Sequence, residues 1–282
     1  MNTDFVSKKL LTVILVLLTS SAIQADYWYG DFTDDRTVVF SDEAVLYTVP
    51  NADSSIFIQL PMGSPVTIPE GGNGEYNSNG LTSYWYKTVY QSDDSEYTGF
   101  IPGCELAMSD MVLAGDTLFL FTVTGYNKEL YQFIGEARVV SSGEILADIE
   151  VDPMGSSFDQ GFYQYNTECL QYDPAGLTGV KNLIELSFLY PACGYTNCDI
   201  LFAWTGSELI AGPVGYSMAE AGCFHVNSHY ILPSDSTGTV NEVVVETILE
   251  EFDDDTMDYF ETERTAITFK WDGTEFIELP VE

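Results

Sequence analysis

Two stretches, Asp199-Ile-Leu-Phe-Ala-Trp204-Thr-Gly206-Ser-Glu208-Leu-Ile210 and Ala266-Ile-Thr-Phe-Lys-Trp271-Asp-Gly273-Thr-Glu275-Phe-Ile277, share one pattern: aromatic-x-Trp-x-Gly-x-Glu-apolar-Ile. In each, a β-rich run ends at a tryptophan and a Gly-containing pair follows. Thr205-Gly206 and Asp272-Gly273 are expected to be two-residue hairpin turns, because glycine supplies the positive φ such turns demand. The tryptophan then packs on its cross-strand neighbour. Upstream, Thr178-Gly179 to Asn182 parallels Thr237-Gly238 to Asn241, and each leads into an apolar strand, Leu183–Leu189 or Val243–Leu249. The unit reads as a repeated β-meander. A first copy is expected at Asp116–Leu130, with Thr124-Gly125 as its turn. About 170 residues are few for a full propeller, so the pattern predicts an antiparallel sandwich or a partial propeller-like stack.

The rest of the chain reads the same way. Short or alternating apolar runs recur at Ala44–Val49, Ile56–Leu60, Tyr84–Tyr90, Leu118–Val123 and Gly135–Val140. They are rich in the branched and aromatic residues that suit a pleated surface. Glu70–Gly80 and Pro233–Gly238 are the intervening turn clusters. Apolar stripes of helical period are missing, and only Ser217–Gly222 is expected to form a helical turn. The fold class is therefore all-β. A seam near residues 108–115 divides an N-terminal unit, residues 26–110, from a C-terminal β-repeat unit, residues 111–282.

Residues 1–25 read as an export signal: Lys8 and Lys9, the apolar run Leu10–Leu18, then small residues with cleavage after Ala22 or Ala25. The expected location is periplasmic or extracellular, with no membrane association once the signal is removed. The 282 residues carry a formal charge of −35, and losing two lysines and one aspartate with the signal leaves −36. Such a surface repels phosphate backbones, so nucleic acid is excluded as a partner. Cations and basic peptides are electrostatically admitted.

Five motifs in order carry a resemblance. They are Ala44-Val45-Leu46-Tyr47-Thr48-Val49-Pro50, Ile56-Phe57-Ile58-Gln59-Leu60 with Pro61-Met62-Gly63, Ser64-Pro65-Val66-Thr67-Ile68, Trp85-Tyr86-Lys87-Thr88-Val89, and Gly99-Phe100-Ile101-Pro102 with Leu106-Ala107. Over residues 36–108 the chain resembles a bacterial SH3 domain. Many members of that family carry Arg before the Pro turn, where this chain has Tyr47 or Thr48, and the Glu70–Ser83 loop is longer than usual. The resemblance implies a small barrel that recognises a cell-wall or envelope peptide or glycan, or another exported protein, through an aromatic-lined groove. It implies binding rather than catalysis. Tyr47, Tyr84, Trp85, Tyr86 and Tyr90 are the candidate ligand-binding residues. On one strand the rings at 84, 85, 86 and 90 alternate between faces, so two are expected in the core and two outside. The C-terminal Trp-x-Gly hairpins are also similar to those of poorly characterised exported bacterial proteins, a likeness that implies architecture alone.

Cys193 and Cys198, in Cys-Gly-Tyr-Thr-Asn-Cys between two β-type runs, are expected to form a disulfide that shapes the loop. A Cys169–Cys223 bridge would leave Cys104 as the odd thiol. Cys223, His225 and His229 share a strand face and are the candidate zinc ligands, although no HExxH or second cysteine pair accompanies them. Asp253, Asp254, Asp255 and Asp258 crowd one loop as a candidate calcium site, without the Asp-x-Asp-x-Asp-Gly spacing of a preformed one. No cofactor is assigned. There is no Gly-x-Ser-x-Gly, and Cys223 lies too close to His225 to be a peptidase pair. The competing reading is an exported hydrolase working through carboxylates of the C-terminal unit.

Overall fold

The computed structural model describes Phe32, residues 36–127, Glu129, and residues 132–151, 166–189, 193–253 and 255–280. The expected signal, residues 1–25, and Asp254 lie outside them. The described residues are almost entirely antiparallel β-structure without an α-helix.

The first sheet contains β1 (Arg36–Val38), β2 (Val45–Tyr47), β3 (Ile56–Gln59), β4 (Pro65–Glu70), β5 (Glu75–Ser78), β6 (Leu81–Gln91) and β7 (Glu96–Pro102). Its order is β1-β4-β6-β7-β2-β3, with β5 paired to β6. A single 3-10 turn, Gly103–Glu105, follows β7, after which Leu106 bridges back to Val39. The expected closed barrel is not formed. The strand order is linear and leaves β3 at an edge. The three-residue strands are too short to ladder all round, and β2 meets β7 only at Tyr47 and Phe100. The sheet still wraps a core of its own, with Val39, Leu46, Leu60, Ile68, Tyr86, Ile101 and Leu106 buried together.

The second sheet holds β8 (Ser109–Ala114), β9 (Thr117–Asn127), β10 (Gln132–Ser141) and β11 (Glu144–Val151), ordered β11-β10-β9-β8. The third is an eight-stranded meander: β12 (Asn166–Tyr172), β13 (Asn182–Leu189), β14 (Asn197–Trp204), β15 (Leu209–Glu220), β16 (Phe224–Ile231), β17 (Glu242–Asp253), β18 (Asp258–Trp271) and β19 (Phe276–Glu278), each paired with the next. Phe119, Phe121, Val123 and Val139 of the second sheet share one buried cluster with Ile184, Leu186, Phe188, Ile200, Phe202 and Trp204 of the third. The C-terminal unit is therefore an antiparallel sandwich.

Apolar packing continues across residues 108–115. Val38, Phe40, Met62 and Ala107 pack with Leu120 and Val140, and Leu81, at the start of β6, enters the sandwich core.

Two expected turns are strand instead. Thr124-Gly125 lies inside β9, where glycines mark a register shift opposite Ile134/Gly135. Ser217–Glu220 extends β15 and pairs with Phe224–Asn227, so cross-strand pairing overrides the helical preference of Met218-Ala219-Glu220.

The repeat is real in register but not in face. Trp204 pairs with Leu209 and Trp271 with Phe276. Gly206 and Gly273 have φ of 100° and 105°. Each loop has four residues rather than two, because the side chain at its first position caps it: Thr205 Oγ1 accepts the Glu208 N–H at 3.0 Å, and Asp272 Oδ1 accepts the Thr274 and Glu275 N–H groups at 2.8 and 3.0 Å. Trp204 faces the sandwich core. Trp271 faces the opposite side, among Leu177, Leu183, Leu201 and Val243, and its indole N–H donates to the Thr178 carbonyl at 2.9 Å.

Candidate functional site

Strand alternation divides the rings of β6 three to one, not two and two as expected, because positions 84, 86 and 90 share one face. Tyr84, Tyr86 and Tyr90 turn toward the first sheet's core, where Tyr86 is 1% exposed and the other two are half-buried. Tyr84 meets Tyr86 edge to face at 6.5 Å, and Tyr90 stacks on Tyr97 at 6.3 Å. Trp85 points the other way. It is no bare platform, however, being 3% exposed. Tyr47 of β2 and Tyr76 of β5 stand edge-on against its indole, with centroids 5.2 and 5.0 Å away. Tyr47 and Tyr76 keep partial exposure and form the accessible surface of this three-ring cluster.

The 3-10 turn carries Cys104 and Glu105 to the same place. Gly103 permits this, since a Cβ there would lie 2.7 Å from the Tyr86 ring and 2.6 Å from Ser83 Oγ. The Glu105 carbonyl accepts the Phe40 and Ser41 N–H groups at 2.8 and 3.3 Å, which fixes its backbone. Its carboxyl accepts the Val45 N–H, while Oε2 is buried with no hydrogen-bond partner. Burial, opposed by the Val45 bond and reinforced by the charge of Glu43, pushes this carboxyl up to about 7. Burial and the Glu105 charge raise the Tyr47 hydroxyl. Burial, Cys104, Glu105 and Tyr47 together raise that of Tyr76. Three rings, a carboxyl and a thiol thus converge from β2, β5, β6 and the 3-10 turn. Sequence reasoning reached Tyr47 and Trp85 and missed Tyr76 and Glu105. The signal for Tyr76 was Asn79-Gly80, a two-residue hairpin turn with φ of 49° and 80° that pairs β5 with β6.

A second polar group lies on the Trp271-facing side of the meander. Glu185 (β13) and Asp199 (β14) are diagonal neighbours there, since Glu185 pairs with Leu201 and Asp199 with Ser187. The Tyr172 hydroxyl donates to Glu185 Oε2 at 3.0 Å, and Ser187 Oγ donates to Oε1 at 3.4 Å. Burial raises both carboxyls, Glu185 further through the charge of Asp199. Tyr172 is pushed up to about 12 by burial and by Glu185. The Tyr230 hydroxyl donates to the Asp199 carbonyl at 2.7 Å and accepts the Gly215 N–H at 3.1 Å. Sequence offered no signal for this pair among 44 acids.

The other candidates are dispersed. His225 stacks on Tyr259 at 3.9 Å, His229 Nε2 lies 3.1 Å from Glu246 Oε2, and Cys223 is exposed in the β15–β16 turn. Asp253 and Asp258 pair at the tip of β17–β18, and Asp253 Oδ1 accepts the Asp255 N–H at 2.8 Å. Among the described residues no three His, Cys, Asp or Glu side chains group as a metal site. The expected Cys193–Cys198 bridge is not formed, nor is Cys169–Cys223. All five cysteines are thiols. Cys198 points into the sandwich core from β14, whereas Cys193 sits in an exposed turn. Between the first and second sheets, Pro61, Met62, Leu118 and Val140 floor a shallow cleft of about 300 Å³.

No protein-family model matches this sequence, and no curated protein matches it.

Proposed function

We propose that the protein is an exported recognition protein without catalytic activity. Its N-terminal sheet, similar to a bacterial SH3 domain, binds a cell-wall or envelope peptide. The observation that carries this reading is the convergence of Tyr47, Tyr76 and Trp85 beside a buried carboxyl. Rings that present edges and faces to solvent, backed by a polar group, suit an extended peptide or a sugar face. The strand succession supports it too: β1, an excursion through β2 and β3, then β4, β6, β7, a 3-10 turn and a return to β1 through Leu106 and Val39. The charge of −35 favours cationic over anionic partners. The test is co-sedimentation of the mature chain with purified cell-wall sacculi. Retention that falls at least tenfold in Tyr47→Ala and Tyr76→Ala is expected; a wild-type chain left in the supernatant refutes the reading.

One observation favours the competing class. Glu185 is buried and Asp199 partly buried, both with raised affinity for protons, and a pair of carboxyls is what glycoside cleavage uses. Release of soluble sugars from the same sacculi, abolished in Glu185→Gln, would replace the binding reading with this one.

A further inference from the structure

Glu105 poses a problem of chemistry. A buried oxygen without a donor sacrifices its hydration, and native proteins seldom leave one so. No ion pair among the described residues involves Glu105. The groups that act on it are one backbone N–H, from Val45, and another acid, Glu43; facing it are Tyr47 of β2, Tyr76 of β5 and, beside it on the 3-10 turn, Cys104. All of these are neutral or negative. Lys87 of β6 lies two residues from Trp85 on the same strand face, in register with Phe100 and Tyr47. The recess therefore has a carboxyl oxygen that lacks a donor and rings whose π-faces attract cations.

We infer that the Tyr47–Tyr76–Glu105 recess receives a cationic nitrogen of the bound peptide, a primary ammonium such as a lysine side chain. This rests on the binding reading above and names the ligand group that the recess selects. Glu105 Oε2 accepts one N–H of the ammonium, and the two tyrosine rings flank its carbon stem. Both rings are partly exposed while the carboxyl oxygen is buried, so ammonium capture requires a ring to rotate aside. Binding needs Glu105 ionised, and the carboxyl carries its proton up to about 7 in the free protein. Ammonium capture therefore releases a proton. Lysine stays charged throughout, so affinity follows the ionised fraction of Glu105. That fraction rises about tenfold between roughly pH 6 and pH 8.

The test is calorimetric titration of the mature chain with the tripeptide glycyl-glycyl-lysine amide, its amino terminus acetylated, and with the same peptide acetylated on the lysine as well. The free amine should bind about tenfold tighter at about pH 8 than at about pH 6, with proton release measured in buffers of different ionisation enthalpy. Lysine acetylation and Glu105→Gln should each weaken binding about tenfold or more and remove the pH dependence. The acetylated peptide probes the intact protein, so the result does not depend on the variant's folding. Equal binding of the two peptides, pH-independent binding of the amine, or no binding of the amine overturns the inference. Sacculus retention separates the two claims: wild-type retention unchanged in Glu105→Gln removes the ammonium site and leaves the recognition role standing.

Discussion

Replacing Glu105 by glutamine should stabilise the protein, and only at higher pH. The folded state holds the Glu105 proton up to about 7, against an ordinary value of 4.5. Between those values the unfolded chain has released the proton and the folded chain has not. Stability therefore falls as pH rises through this window and levels off above it. The 2.5-unit separation corresponds to about 3 kcal/mol as an upper bound, since each unit is about 1.4 kcal/mol. Glutamine keeps an oxygen for the Val45 N–H and removes the charge. Urea unfolding of mature wild type and Glu105→Gln at about pH 4, 6 and 8 reads the effect. The stability difference should grow in the variant's favour by about 2–3 kcal/mol from the lowest pH to the highest. Repulsion among the other acids is common to both chains and cancels in the difference. A difference that stays constant across the three pH values refutes the burial argument.

Trp271→Phe leaves the Thr178 carbonyl without its indole donor, so it should lose about 2 kcal/mol, seen as a lower urea midpoint. Gly80→Ala forces a side chain into φ of 80° and to within 2.8 Å of the Tyr126 carbonyl oxygen; a loss of about 2 kcal/mol is expected from the same measurement. Native-state thiol labelling with mass mapping should modify the exposed Cys193 and Cys223 quickly. Cys169, held up to about 12 by burial, should react only after unfolding.

The all-β class was legible because alternation needs only the pleat, and the Trp-x-Gly hairpins because glycine at positive φ leaves a local mark. Which face each tryptophan occupies was not. Trp204 and Trp271 share a motif and pack on opposite sides of one sheet, a matter of what lies above each strand rather than of the strand itself. Thr124-Gly125 reads locally as a turn but sits mid-strand, since pairing with β10 on one side and hydrogen bonds with Asn79 on the other outweigh its flexibility. The candidate site was half legible. Tyr47 and Trp85 stand in recognisable strands. Glu105 is one acid among 44, marked out only when the 3-10 turn folds it against Val45 and away from water.

The strand orders of the three sheets set unequal tasks for a folding chain. In the eight-stranded meander every partner is the next segment along, so hairpins can add one by one with little loop-closure entropy at each step. The N-terminal sheet must also join its two ends: β1 ladders on β4, and Thr37 Oγ1 donates to the Ala107 carbonyl across 70 residues. Contact order therefore assigns the kinetic bottleneck to that closure, and the half of the chain synthesised last is the half that zips up fastest.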